Sequence, residues 1–360
     1  MPARIVSIGT AVPATSVSQP DLRDFFAEQP STGKLARRYI SAAFDAAGIA
    51  TRHTVLSGLG GTPDGTFISA EGELLVPSTG ERNDLYRHAA PPLAAEAASK
   101  ALREGQVAAH QVTHVVTVSC TGFFAPGLDY RLVRDLGLST QVQRSHLGFI
   151  GCAAALPALR TASQITAAQP EAVVLVVCVE LCSLHVRNSP DPQQIVSASV
   201  FADGAAAVLI TADETTGVAG GIFLDRFATT LTEAGETDMV WTIGDQGFEM
   251  TLSAEVPRII GHEIRGAVDS FLDGEPPPDI WAIHPGGRSV LDRVEAGLDL
   301  DSSAIAASRA VLHEYGNMSS ATILFILRRL LRDTAISGPI AAIAFGPGLT
   351  VETALLRKGP

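Results

Sequence analysis

The 360-residue chain predicts a layered α/β protein whose sheets are buried between helices. Three observations carry that expectation. Short apolar runs alternate with helical periodicity through both halves of the chain. The clearest run, Ala172 to Val179, is apolar without interruption and so reads as a strand covered on both faces. Apolar residues make up 46% and charged residues only 18%, so much of each element must be covered by the chain itself or by a partner, which an obligate dimer would supply.

Met1 to Gly9 reads as a first strand; it lacks the long apolar core and cleavage site of a signal peptide. Ser18 to Phe26 and Gly33 to Ala47 predict helices, the second closed by Gly48. Residues 57–80 are rich in Gly, Pro, Ser and Thr and predict loops with a short hairpin. Asn83 to Glu104 predicts a long helix with an alanine-rich inner face. His114 to Ser119 is a β run ending in Cys120-Thr121-Gly122, and a helix spans Tyr130 to Leu136. A weaker strand leads to Ala153–Ala168, a glycine-free helix with Pro157 in its first turn, where a missing N–H does little harm. Val200 to Ile210 holds a turn and another buried strand.

The second half repeats the grammar. Strands around 217–229 and a loop precede a helix over Ala254–Leu272, and the strand Asp279–Ile283 stops at His284-Pro285-Gly286-Gly287. Helices follow to Ala296 and over Ala304–Tyr315, and Gly316-Asn317-Met318-Ser319-Ser320 opens another that runs to Asp333. A strand at Ile340–Phe345, a Gly-Pro-Gly turn and a last strand end the chain. No linker separates the halves, so 1–210 and 211–360 are expected to pack against each other.

Several function classes drop out. The net charge of −12 and the lack of a Lys/Arg block speak against nucleic acid. No run approaches 18 apolar residues, so no membrane span is expected. Four unevenly placed cysteines predict no disulfide framework and a reducing, cytoplasmic compartment. Cys178 and Cys182 lie in a β-branched run without a second ligand pair, and no metal or cofactor is expected.

The chemistry gathers at three positions. Gly151-Cys152-Ala153 places a thiol at or next to a helix N-terminus, where free N–H groups and the dipole favour a thiolate. His284 sits at a strand end held by Pro-Gly-Gly, and Asn317 follows a glycine ahead of a helix. Taken singly, each has a plain structural use: a small buried hydrophobe, a hydrogen-bonded histidine and a helix cap. Together they form a thiolate–imidazolium pair with an amide beside it, able to take an acyl group from a thioester and to stabilise an enolate.

At these residues the chain resembles the type III polyketide synthases of the chalcone synthase kind. The resemblance rests on Gly-Cys-Ala-Ala-Ala, His-Pro-Gly-Gly, Gly-Asn-Met-Ser-Ser-Ala, Phe-Ala-Asp-Gly-Ala-Ala-Ala and the closing Phe345-Gly-Pro-Gly-Leu-Thr-Val-Glu, in order over nearly the whole chain. It implies a thiolase fold, with two similar βαβ-type halves in a five-layered αβαβα arrangement, and a homodimer. It also implies a cis Ala125–Pro126 bond near the dimer interface. Cys152 would carry the starter and the growing chain, while His284 and Asn317 would bind the malonyl-CoA thioester and stabilise the enolate. Phe201 matches a gatekeeper aromatic between the CoA tunnel and the cavity.

The departures bear on substrate. A second gatekeeper aromatic aligns with Met250, and cavity-lining threonines appear as Cys120, Cys182 and His185. Trp241 stands where plant enzymes have a glycine in the starter pocket. That resembles bacterial alkylresorcinol and alkylpyrone synthases, which use fatty acyl starters and make resorcinol or pyrone products. The basic residues that contact CoA phosphates in plant enzymes fall at Ala43, Ala46 and Ala50. CoA binding then falls to other residues, with Arg52 a candidate, or the starter arrives on a carrier protein. Rival readings are a ketoacyl synthase III performing one condensation, a cysteine hydrolase, and a non-catalytic condensing-type subunit. A hydroxymethylglutaryl-CoA-type synthase would want an acidic base, and no acidic residue is placed for it in the sequence.

Overall fold

The computed structural model describes residues 2–359. The first half runs β1 (Arg4–Ala11), β2 (Thr15–Ser18), α1 (Gln19–Ala27), α2 (Lys34–Ala46), β3 (Thr51–Thr54), α3 (Thr79–Gly105) and β4 (His114–Ser119). It continues through α4 (Leu128–Asp135), β5 (Gln143–Gly148), α5 (Ala155–Ala168), β6 (Val173–Leu181), α6 (Pro192–Val200) and β7 (Asp203–Thr211). The second half runs β8 (Ile222–Leu231), β9 (Met239–Gly244), β10 (Gly247–Leu252), α7 (Val256–Leu272), β11 (Ile280–Ile283) and α8 (Arg288–Leu298). It closes with α9 (Ala306–Tyr315), α10 (Thr322–Arg332), β12 (Gly338–Gly346) and β13 (Thr350–Lys358).

Local chemistry sets several of these boundaries. The Ser18 side chain accepts from the Asp21 N–H and starts α1. A capping box between Ser78 and Glu81 starts α3 four residues before the expected Asn83. The sequence reading missed the short β2–β3 pair, α6 and the β9–β10 hairpin. α6 is announced by Asp191, which accepts from the Gln193 N–H with Pro192 at the first helical position. The β9–β10 hairpin, expected as a loop, sets Met250 opposite Trp241. The Ala125–Pro126 bond is cis.

The sheet order repeats between the halves. From β4 inward the order is β4, β6, β7, β1, one parallel neighbour followed by two antiparallel ones. From β11 inward it is β11, β12, β13, β8 with the same directions. The edges β1 and β8 touch through only two pairs, Arg4 with Phe223 and Ile5 with Ile222, which makes one nine-stranded sheet of two units.

Alternation along the strands builds the layers. Leu175, Val177 and Val179 of β6 face α3, where Ala94, Ala97, Ala98 and Ala101 are fully buried. Val174, Val176 and Cys178 face the other way, into a core shared with α5, α10 and the inner residues Ile340, Ala342 and Ala344 of β12. The outer β12 residues Ala341, Ile343 and Phe345 pack with α7 and α8. The result is helix, sheet, paired central helices, sheet, helix: the five layers expected. Strands with helices on both faces have no wet side, which is why they read as unbroken apolar runs.

The close approach of α3 to β1 depends on Gly9, where a Cβ would lie 2.2 Å from the Ala97 carbonyl oxygen. Backbone sits there, and backbone cannot swing aside. Gly9→Ala is therefore expected to destabilise the fold by about 1–3 kcal/mol. Urea unfolding checks this, and an unchanged midpoint would contradict the packing.

Candidate active site

Cys152 lies in a single 3₁₀ turn, Gly151–Ala153, that leads into α5. Gly151 has a φ of +70°, and a Cβ there would come within 2.4 Å of Pro347 Cδ. The cysteine loop of one half is thus seated on the Gly346-Pro347-Gly348 turn of the other. The side chains of Ser319 and Asn317 favour the charged form of the Cys152 thiol, against its burial.

Asn317 is held by its main chain as much as by its side chain. Its N–H donates to the Val200 carbonyl (2.9 Å) and its carbonyl accepts from the Ala202 N–H (2.8 Å), so it brackets Phe201. Its Oδ1 accepts from the Ser319 N–H (2.9 Å), the turn-capping use of an asparagine, and its Nδ2 donates toward the Gly286 carbonyl (3.4 Å). The His284 N–H pairs with the Ile343 carbonyl (2.8 Å), which fixes the residue at the end of β11. Its ring is buried, and neither nitrogen is bonded to another protein group.

Burial governs the charges. It pushes the Cys152 thiol up to about 11 and the His284 imidazole down to about 3. The expected thiolate at a helix N-terminus therefore does not arise from the helix alone. Burial therefore favours the neutral form of each group.

Two cavities meet at Cys152. The first is bounded by Cys120, Cys182, His185 and Trp241 and reaches the apolar side chains of Leu22, Phe26 and Leu59. The second holds His284 and Asn317 and extends past Ala43 and Ala46 to Arg258, Arg288 and Arg293. Cys152, Phe201, Met239 and Met250 border both. Phe201 and Met250 thus stand on the boundary between the two spaces.

The first cavity has a fixed wall. Trp241 Nε1 donates to the Cys120 carbonyl (2.7 Å), and Cys120 Sγ accepts from the Gly151 N–H (3.1 Å). His185 Nδ1 accepts from the Phe248 N–H (3.0 Å), which leaves Nε2 to donate to the Thr121 carbonyl (2.7 Å). Its ring stacks on Phe248 at 4.3 Å. Phe248 was not foreseen, because the hairpin that carries it was read as a loop.

Arg52 needs correction. It is only 4% exposed, and its Nη1 donates to the Ala198 and Phe201 carbonyls, each at 2.7 Å. Its guanidinium braces the Phe201 segment from inside and is not placed at a surface where CoA phosphates would lie. The arginines that line the second cavity are Arg258, Arg288 and Arg293.

Glu180 was also missed, although a lone carboxylate inside the apolar run of β6 was a legible signal. It is fully buried and accepts from the Cys120 N–H (3.0 Å), the Thr121 hydroxyl (3.0 Å) and the Ser320 hydroxyl (2.5 Å). It lines neither cavity and holds the wall behind the thiols. Burial, opposed by those bonds, raises it from 4.5 to about 7. The folded chain then binds a proton more tightly than the unfolded one between pH 4.5 and about 7. Relative to Glu180→Gln, wild-type stability should be highest below pH 4.5, fall as pH rises to about 7, and stay level above. Denaturant titrations of both proteins across that range check the slope; a difference that does not vary with pH would contradict it.

Among the described residues no helix is long and apolar enough to cross a membrane, and no cluster of His, Cys, Asp or Glu is placed to hold a metal. Residues 1–214 match the N-terminal domain of the chalcone and stilbene synthases, and residues 227–360 match the C-terminal domain. The chain is 32% identical to "Probable polyketide synthase 1" of Dictyostelium discoideum over 98% of its own length, which is 11% of that protein. It is 33% identical to "Bisdemethoxycurcumin synthase" of Oryza sativa subsp. japonica, covering 99% of this chain and 92% of that one. The C-terminal type III polyketide synthase domain of Steely1, a type I/III hybrid from Dictyostelium, superposes with a TM-score of 0.92 at 29% identity over 99% of both chains. With both domains matched in order on a five-layered fold, the chain belongs to the chalcone and stilbene synthase family, the type III polyketide synthases, which are acyltransferases.

Proposed function

We propose that the chain loads a fatty acyl starter on Cys152, extends it by iterative decarboxylative condensation with malonyl-CoA, and closes the product as a pyrone or resorcinol. The observation that carries this reading is the position of Cys152 at the junction of two cavities divided by Phe201 and Met250. The growing chain needs one space and the incoming thioester another, and the sulfur borders both.

The steps follow from the groups present. His284 takes the Cys152 proton and the thiolate attacks the starter thioester, forming an acyl-cysteine and releasing the carrier thiol. Malonyl-CoA then enters the second cavity with its thioester oxygen toward His284 and Asn317. As carbon dioxide leaves, its bonding electrons form an enolate whose oxygen these two N–H donors stabilise. The enolate carbon attacks the acyl-cysteine, a C–C bond forms and the Cys152 thiolate departs. Transfer of the lengthened chain back to Cys152 begins the next round. His284 suits this part because its low pKa leaves it a neutral donor once the cysteine is acylated.

Substrate preference follows from the walls. Trp241, locked to the Cys120 carbonyl and edge-on to His185, blocks one side of the first cavity. The apolar reach toward Leu22, Phe26 and Leu59 suits an alkyl tail. We take 1–210 and 211–360 as the repeated units. A homodimer fits the edge strand β5, where Gln143 to His146 are exposed, and the exposed Phe123 beside Phe149. Four free cysteines fit a reducing cytoplasm.

A panel of acyl-CoAs, short, long-chain and aromatic, incubated with malonyl-CoA and read by mass, tests the proposal. Products should lengthen with the starter, favour alkyl over aromatic acyl groups, and vanish in Cys152→Ala. Trp241→Gly should raise kcat/KM for aromatic starters by about tenfold or more, roughly the effect of opening a pocket to one ring. A lone β-ketoacyl product would hand the case to the single-condensation rival, and product from malonyl-CoA alone would overturn the fatty-starter reading.

A further inference from the structure

One face of α2 is left without a partner. Leu35, Tyr39, Ala42 and Ala46 follow at i, i+4, i+7 and i+11 and make one stripe along the helix. Leu35 is 65% exposed and Tyr39 46%, whereas Ala36, Ile40 and Phe44 on the opposite side are buried. Large apolar side chains aligned in solvent are uncommon unless something covers them.

Charge surrounds the stripe on both sides. At 100° per residue, Lys34 and Arg38 flank it on one side, while Ala43 and Ala47, which line the second cavity, lie on the other. Also lining that cavity are Arg258, paired with Glu255, Arg288, 3.6 Å from Asp292, and Arg293. The one acidic residue of α2, Asp45, is bonded to Arg23 rather than to Lys34 or Arg38. In a chain of net charge −12, Lys34, Arg38 and Arg293 are thus left, among the described residues, without a carboxylate partner around an apolar centre beside the cavity that holds His284 and Cys152.

We propose that this face docks an acidic acyl carrier protein, which delivers the starter through the second cavity on a phosphopantetheine thioester. The inference rests on the condensing function proposed above. A free CoA does not account for the surface: Arg38 lies five residues before Ala43, roughly 7–8 Å along the axis and across the stripe from the cavity. A nucleotide also has no use for exposed Leu35 and Tyr39, whereas a helix with an apolar centre and acidic flanks would cover both and meet Lys34 and Arg38. An anionic membrane fits less well, because the whole chain carries excess negative charge. Loading is a thioester exchange. Cys152 sulfur bonds to the acyl carbon, the pantetheine sulfur leaves, and the proton removed from Cys152 ends on that sulfur.

The experiment compares dodecanoyl on the source organism's acyl carrier protein with dodecanoyl-CoA. The enzyme is wild type and a Lys34→Glu/Arg38→Glu double variant, both checked for folding by circular dichroism. Loading is read as intact-mass adduct on Cys152, and turnover as malonyl-dependent product. Wild type should accept the carrier-bound chain. The double variant should lose at least tenfold in kcat/KM for that substrate while dodecanoyl-CoA stays within about twofold, and about 0.5 M salt should mimic the variant. Dodecanoyl-CoA turned over with the carrier-bound chain refused, or equal losses with both substrates, would overturn the docking face alone. So would a variant whose only defect is lost sedimentation with phosphatidylglycerol vesicles. No product from either thioester would overturn the condensing function itself.

Discussion

The site depends on how the two halves of the chain are tied together at a few backbone contacts. Asn317, from the second half, brackets Phe201, from the first, through hydrogen bonds to Val200 and Ala202. Arg52 braces the same segment from beneath through the Ala198 and Phe201 carbonyls. On the other side, Gly151 is seated against Pro347 so closely that no side chain fits between them. The nucleophile loop, the boundary aromatic and the amide donor therefore share one set of constraints. None can shift without moving a backbone partner from the other half.

The same burial that fixes positions also withholds charge. Cys152 and Glu180 are pushed toward their protonated forms and His284 toward its neutral form. An isolated charge in this interior is costly, so the proposed mechanism forms the thiolate and the imidazolium together rather than either alone. Once the sulfur is acylated, the neutral ring becomes an N–H donor. In the proposed mechanism two states of one residue thus serve loading and condensation in turn.

Much of the fold could be read from the sequence because buried sheets leave a strong trace. The unbroken run at β6 and the alanine-rich face of α3 both follow from helices packed on each side of a strand. Elements whose character depends on their neighbours were less legible. The β9–β10 hairpin has intermediate burial and no apolar run, so Trp241 and Met250 could be named while their pairing could not. Arg52 was misplaced because an arginine is ordinarily a surface residue, and nothing local in the sequence says that two carbonyls 146 and 149 residues away claim it. Glu180 offered a signal, a carboxylate in the middle of a buried strand, but its donors come from Cys120, Thr121 and Ser320, far apart in the chain.

The central claim is that Cys152 serves two cavities, the acyl chain occupying one while malonyl-CoA uses the other. A crystal structure of the enzyme acylated on Cys152 with a decanoyl group tests it most directly. The account predicts the tail in the first cavity, running from Trp241 and His185 toward Leu22, Phe26 and Leu59, with the space beside His284 and Asn317 open. A tail lying in the second cavity against Ala43 and Arg293 would contradict it.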